Sequence, residues 1–243
     1  MYLKIAVMNN SGNVGKSMIC ENLLKQRIPG SKLIKIETIN SDGTTDETIS
    51  AKNIKQVFEQ IDNSDVAIID IGSSNIETFT SNLKKLNGAH EDINFFFIPT
   101  IPKPKQQTDT INTIEELLDM GVDTKQVKII FNFYDNDISP EDLYPKIFNH
   151  TLAEELKLKN HNNLFTIRDN PVFDMIGELG YTFTDIANDK RDFRALIRST
   201  DNKEERSQYS HLRSAQRLAK GFIKELDLTF NKIMLACDIE IGS

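Results

Sequence analysis

The stretch Val7–Ile19, VMNNSGNVGKSMI, decides the fold. It contains Gly15-Lys16-Ser17, the end of a phosphate-binding loop, while Asn10 stands where the pattern G-x-x-x-x-G-K-[ST] has its first glycine. Such a loop works through backbone N–H groups that curl around an anion at a helix N-terminus. In that arrangement Gly15 lets the backbone approach a phosphate, Lys16 balances β/γ-phosphate charge and Ser17 holds Mg²⁺. The context agrees, because an apolar strand candidate precedes the loop and a helical pattern follows it. The plain alternative is a chance GKS in a surface turn.

Working outward, short apolar runs recur: LKIAVM, KLIKIETI, DVAIIDI, NFFFIP, VKIIFNF and NLFTIR. Their Ile, Val and Phe content suits strands buried on both faces. Between them lie KSMICENLLKQR, AKNIKQVFEQID, QTDTINTIEELLDMG and TLAEELKLK, each with apolar residues at helical spacing. This alternation predicts an α/β fold, a mostly parallel sheet with helices on both faces. From Ser207 to Ala236, Leu212, Ala215, Ala219, Phe222, Leu226, Phe230 and Ile233 fall three or four apart, which predicts one long C-terminal helix. The expected organisation is a single domain, with an α/β core over 1–187 and a helical region over 188–243.

Two further motifs point at the same site. SDVAIIDIGSS is a strand ending in Asp70, whose carboxylate would face the phosphate site and bind Mg²⁺ directly or through water. Gly72 then leaves room for a turn beside the γ-phosphate. KIIFNFYD places Asn132 at a strand end, where its amide has a donor and an acceptor for a purine edge. Asn132 and Asp135 also match N-x-x-D, close to the guanine-reading N-K-x-D, with Phe133 in place of the lysine.

The bulk properties exclude some classes. The 243 residues carry a net charge of −7, which argues against a uniformly basic nucleic-acid binder. The charge is uneven: 189–224 holds ten Lys/Arg and five Asp/Glu, a balance of +5 that leaves −12 elsewhere. That segment is either a nucleic-acid contact face or a solvated helical face. Cys20 and Cys237 have no metal-like spacing and suit a reducing compartment. The apolar start MYLKIAV is too short for a signal peptide, and no run approaches a bilayer span, so a cytoplasmic location is expected.

The chain resembles the ParA/MinD group of P-loop ATPases from Tyr2 to Ala187, and within it the StbB plasmid-stabilisation proteins. ParA-type loops read K-G-G-x-G-K-[ST], matching the window Ser11-Gly12-Asn13-Val14-Gly15-Lys16-Ser17, so Asn10 is no defect. NSGNVGKS with IETIN points to the StbB type, FFFIPTIPKP is similar to the family's strand ending in a proline turn, and LFTIRDNPVF to its loop closing over the base. The resemblance implies ATP and Mg²⁺ as ligands. It implies nucleotide contacts at Gly12, Asn13, Val14, Gly15, Lys16, Ser17, Met18, Asn132 and Arg168, with Ser17 and Asp70 at the metal.

It implies a weak ATPase serving as a switch in plasmid stability, partition or conjugation, with a plasmid-encoded DNA-binding partner, a homodimer, and weak DNA contact through 189–224. Two departures stand out. Ser11 replaces the lysine that reaches a dimer partner's nucleotide, and the family's D-x-D becomes Glu37 with Ile39 in the water-orienting place. Lys16, Asp70 and Glu37 are the catalytic candidates, with Asn40 or Asp42 as other substitutes for the missing aspartate. The rival readings are a non-hydrolysing nucleotide-binding adaptor, a GTPase favoured by Asn132 and Asp135, and a small-molecule kinase.

Overall fold

A computed structural model describes residues 1–37, 48–50, 53–86 and 88–241. Strand β1 (Leu3–Val7) leads through the glycine loop into α1 (Lys16–Met18), which a π-helical stretch (Ile19–Lys25) continues. Then come β2 (Lys32–Ile36), β3 (Thr48–Ile49), α2 (Ile54–Asp62), β4 (Val66–Ile71), α3 (Ile76–Lys85), β5 (Phe95–Thr100), α4 (Pro104–Asp119) and β6 (Val127–Tyr134). Three short helices follow, α5 (Pro140–Leu143), α6 (Pro145–Phe148) and α7 (Leu152–Glu155), before β7 (Phe165–Arg168). The chain continues through α8 (Val172–Leu179), α9 (Phe183–Asn188), α10 (Phe193–Ser199) and α11 (Lys203–Ala236).

The strands form one sheet of seven, ordered β3-β2-β4-β1-β5-β6-β7, with every pair parallel. Side chains alternate across a strand, so each strand feeds two cores. Ala6, Ile69, Ile98 and Phe131 join Val57, Ile61, Phe79, Leu83, Ile114 and Leu117 of α2, α3 and α4. Their neighbours in sequence, Ile5, Val7, Ile68, Phe97 and Ile130, are also fully buried, and the helical stretch carrying Ile19, Leu23 and Leu24 covers that other side. Each such side chain contributes about 1.5–3 kcal/mol relative to exposure. Double burial explains why the strands read as continuous apolar runs.

The two-residue β3 has no counterpart among the sequence expectations. Helix α7 is also far shorter than the TLAEELKLK pattern suggests. Lys157 adopts φ 53°, and Leu158 N–H returns to Ala153 O at 2.9 Å, a left-handed cap that stops the helix.

The described residues divide into two compact units, Met1–Arg168 with the chain from Thr229 on, and Asp169–Leu228. The expected division at 187/188 therefore falls inside the second unit. Within that unit Phe173, Phe183 and Phe222 form a ring cluster, with Phe222 edge-on to both partners at 5.5 and 5.9 Å. Helix α11 begins four residues before the expected Ser207 and ends at the expected Ala236. In the first unit its last turns are tied to β7: Thr229 Oγ1 donates to Thr166 O and Lys232 Nζ to Leu164 O, each at 2.7 Å.

Candidate functional site

Strand order sets the site. Beside β1 the sheet continues as β4 on one side and β5 on the other. The loop after β1 thus emerges at the carboxyl ends of the strands where neighbours diverge, the usual place for a ligand in such sheets. Val7 lies opposite Asp70 in the β1–β4 register, so the loop and the carboxylate leave the sheet together.

The loop is pinned from below. Asn9 is fully buried; its Nδ2 donates to Pro99 O and to Thr110 Oγ1, both at 2.8 Å, and its Oδ1 accepts from Ser11 N–H at 2.7 Å. Asn10 N–H donates to Thr113 Oγ1 at 3.1 Å, and the buried Ser11 hydroxyl makes a short hydrogen bond to the Asp109 carboxylate. Helix α4 therefore braces three consecutive loop residues. Two of these positions, Asn10 and Ser11, are where the sequence departs from glycine- or lysine-bearing patterns, and both have structural work here.

The loop then turns through left-handed backbone at Asn13, φ 56°, and Gly15, φ 91°. A Cβ on Gly15 would lie 2.3 Å from Asn132 Nδ2, so both the angle and the space demand glycine. Lys16 opens the helix and folds back over the loop, donating to Ser11 O at 2.7 Å and Asn9 O at 3.2 Å. Burial lowers its pKa, and the Asp70 charge works in the opposite direction.

Asp70 is 3% exposed and ends β4. Desolvation raises its pKa first; a hydrogen bond from Ser17 and the Lys16 charge pull it down, while Glu37 pushes it up. Its Oδ2 is buried with no hydrogen-bond partner among the described residues. An orphaned carboxylate oxygen is costly unless something else satisfies it. A hard divalent cation with oxygen preference suits this pair, since Ser17 is exposed and its hydroxyl already meets Asp70. The donor set fits Mg²⁺. Gly72 N–H donates to Ile36 O at 2.9 Å, and a Cβ there would crowd the same carbonyl at 3.2 Å, which keeps the turn after Asp70 tight.

The remaining expected residues fall as follows. Gly12 and Asn13 are exposed, Val14 is buried and Met18 half-buried in the loop and first helical turn. Glu37 is exposed just past β2 and close enough to Asp70 to act on its charge. Ile39, Asn40 and Asp42 lie outside the described residues. Arg168 ends β7 and is exposed. Asn132 is brought against the loop itself: 4% exposed, its Nδ2 donates to Val14 O at 3.1 Å and its Oδ1 accepts from Phe133 N–H at 3.0 Å. Reading a purine edge would require that amide to leave Val14. Sequence reasoning missed Asp109, Thr110 and Thr113; spacing within α4 gave no sign that they face the loop.

No protein-family model matches the chain, and no curated protein sequence matches it. Several solved structures are similar in fold. A plasmid partition protein from Borrelia burgdorferi bound to AMPPNP is 13% identical, covers 88% of this chain and 98% of its own, and gives a TM-score of 0.45. The MinD cell division protein of Aquifex aeolicus is 16% identical over 89% of this chain and 96% of its own, at 0.48. The cell division ATPase MinD of Pyrococcus furiosus is 13% identical over 89% and 99%, at 0.47.

Proposed function

We propose that this chain is a ParA/MinD-type nucleotide-binding switch that takes ATP with Mg²⁺ and hydrolyses it slowly. The observation that carries this reading is the convergence of Lys16, Ser17 and Asp70 at the end of β1 and β4, with Asp70 Oδ2 buried and without a hydrogen-bond partner among the described residues. Loop N–H groups from Gly12 to Met18 would receive phosphate oxygens, and Lys16 would exchange its two loop carbonyls for them. Ser17 and Asp70 would hold Mg²⁺, which supplies charge neutralisation at the β- and γ-phosphates. Glu37, whose charge acts on Asp70, is a candidate for orienting water, and Arg168 at the end of β7 is a candidate contact to the nucleotide. The test is calorimetry with MgATP: wild type binds, Lys16→Ala does not, and equal affinity for the two would overturn the reading.

A second reading, a nucleotide-binding adaptor without turnover, is favoured by Ser11. Its hydroxyl is buried on Asp109, and a serine brings no side-chain cation to a second copy's nucleotide. The biological role we propose is plasmid stability or partition of the StbB type, in the cytoplasm, as a homodimer working with a DNA-binding protein. The support for a nucleic-acid face is a pattern on α11. Arg206, Arg213, Arg217, Lys220 and Lys224 recur at intervals of seven, four, three and four, which at 3.6 residues per turn keeps them on one side of the helix. The buried Leu212, Ala215, Ala219, Phe222 and Leu226 occupy the other side. Arg191, by contrast, is committed locally to Asp189, Nη2 to Oδ2 at 2.5 Å.

A further inference from the structure

Strand β6 breaks its own pattern at one residue. Pairing with β7 runs Ile130 to Phe165, Phe131 to Thr166 and Asn132 to Ile167, then jumps to Tyr134 with Arg168. Phe133 is the extra residue in that bulge, with φ at 56°. A bulky side chain in left-handed backbone is a genuine outlier, and such strain concentrates at functional positions. The ring is also 43% exposed, although its neighbours are packed away: Phe131 and Tyr144 are fully buried and meet edge-on at 4.8 Å. A packed aromatic cluster lies beside Phe133 in sequence and space, and the bulge leaves the Phe133 ring outside it.

The place where the ring emerges is specific. Asn132, the preceding residue, is fastened to Val14 O in the phosphate loop, and its backbone carbonyl is held by Tyr144 Oη at 2.7 Å. Asn132 Nδ2 would lie 2.3 Å from a Cβ on Gly15. Phe133 is therefore one residue from the loop's own backbone, anchored on both sides, and at the carboxyl edge of the sheet where a nucleotide would lie. Asp135, two residues on, caps its own turn by accepting from Asp137 N–H at 2.9 Å, so it does not offer that oxygen to a base as an N-K-x-D aspartate would.

We propose that Phe133 is the platform on which the base of the bound nucleotide stacks. The inference rests on the phosphate-loop reading of the same site. Every base has a π-face, so a phenyl platform supplies affinity without selecting the base by hydrogen bonds. It also accounts for Asn132, whose amide secures the loop while its neighbour meets the ligand. The bulge is then the device that aims the ring, as bulges beside ligand sites do.

The test compares MgATP with magnesium tripolyphosphate, which has the phosphates and no base, on the full chain. Phe133→Ala should weaken MgATP by about 5- to 150-fold, the range of one base–aromatic stack. It should leave tripolyphosphate unchanged. The chain contains no tryptophan, so Phe133→Trp introduces a single indole whose fluorescence MgATP should quench and tripolyphosphate should not. Equal MgATP affinity for wild type and Phe133→Ala, with Lys16→Ala still defective, would overturn the stack and leave the phosphate loop standing. Binding of neither ligand by the wild type, or full binding by Lys16→Ala, would remove the loop reading and the stack with it. Phe133→Gly relieves the left-handed strain, so a binding loss in that folded variant separates the ring's role from a folding defect.

Discussion

Asn132 Nδ2 donates to Val14 O at 3.1 Å, linking positions 118 residues apart and joining the end of β6 to the turn before Lys16. The contact leaves Gly15 no room for a side chain. The phosphate loop is thus shaped from two directions, by Asn132 above Gly15 and by α4 beneath Asn9, Asn10 and Ser11.

Gly15→Ala should consequently abolish MgATP binding and destabilise the fold. The added methyl meets Asn132 Nδ2 at 2.3 Å and sits on backbone at φ +91°. Strain of this sort costs about 1–3 kcal/mol. Combining it with Asn132→Ala should recover much of the stability, because the clash disappears, while the angle penalty remains. Thermal melts of the two single variants and the double variant measure this; additive losses would mean that Asn132 is not what Gly15 avoids.

Asp70 should make the metal-free protein less stable as pH rises. Its folded pKa is raised, chiefly by desolvation, so the unfolded chain ionises first. The folded state therefore loses stability as pH climbs from the ordinary carboxylate value of about 3.9 through the raised one. Mg²⁺ with ATP should offset that loss by occupying the orphaned oxygen. Asp70→Asn removes both effects: the metal-free variant should show a flatter pH–stability curve between acid and neutral pH, and Mg²⁺ should no longer strengthen ATP binding. Retained Mg²⁺ dependence in Asp70→Asn would assign the metal elsewhere.

Hydrolysis should be slow, below about 1 per second, in protein without partners. Ser11 is hydrogen-bonded to Asp109 and supplies no cation to developing phosphate charge. Ser11→Ala tests the structural side of this. It should leave the Asp109 carboxylate without its hydroxyl donor and lower stability by about 1 kcal/mol, with little change in turnover. Phosphate release assayed for both proteins decides the matter, and a turnover of tens per second in the wild type would contradict it.

Much of this fold is legible in the sequence. The strands are readable because the central ones, β1, β4, β5 and most of β6, are buried on both faces, and the six apolar runs correspond to six of the seven strands. The two residues of β3, Thr48 and Ile49, carry too little pattern to be seen. Lys16, Ser17 and Asp70 stand out in the sequence because the phosphate-loop pattern restricts residue type and spacing, and the structure brings the three together at the ends of β1 and β4. Asn132 stands out in the sequence but its partner does not: a bond to Val14 depends on strand order, which spacing along the chain does not reveal. The bracing threonines Thr110 and Thr113 look like ordinary helix residues until α4 is placed under the loop. In the sequence Phe133 reads only as a missing lysine, because a bulge that turns one residue outward leaves no periodic trace.

The basic side of α11 yields the last expectation. Arg206, Arg213, Arg217, Lys220 and Lys224 span 19 residues, roughly 27 Å of helix at 1.5 Å per residue. That length parallels several phosphates of a duplex, where charges recur about every 3.4 Å along each strand. One helix offers few contacts, so binding by the protein alone should be weak, on the order of micromolar, and steeply salt-dependent. Arg206 also donates to Thr200 O at 2.6 Å, which leaves Arg213 and Arg217 as the informative pair. Arg213→Ala/Arg217→Ala should reduce duplex DNA affinity and flatten the plot of log affinity against log salt by about 2 units. Arg191→Ala is the control, since Arg191 is held by Asp189 and its loss should leave the slope unchanged. If the double variant matches the wild type in both affinity and slope, this face of α11 is a solvated surface and the DNA contact must come from a partner protein.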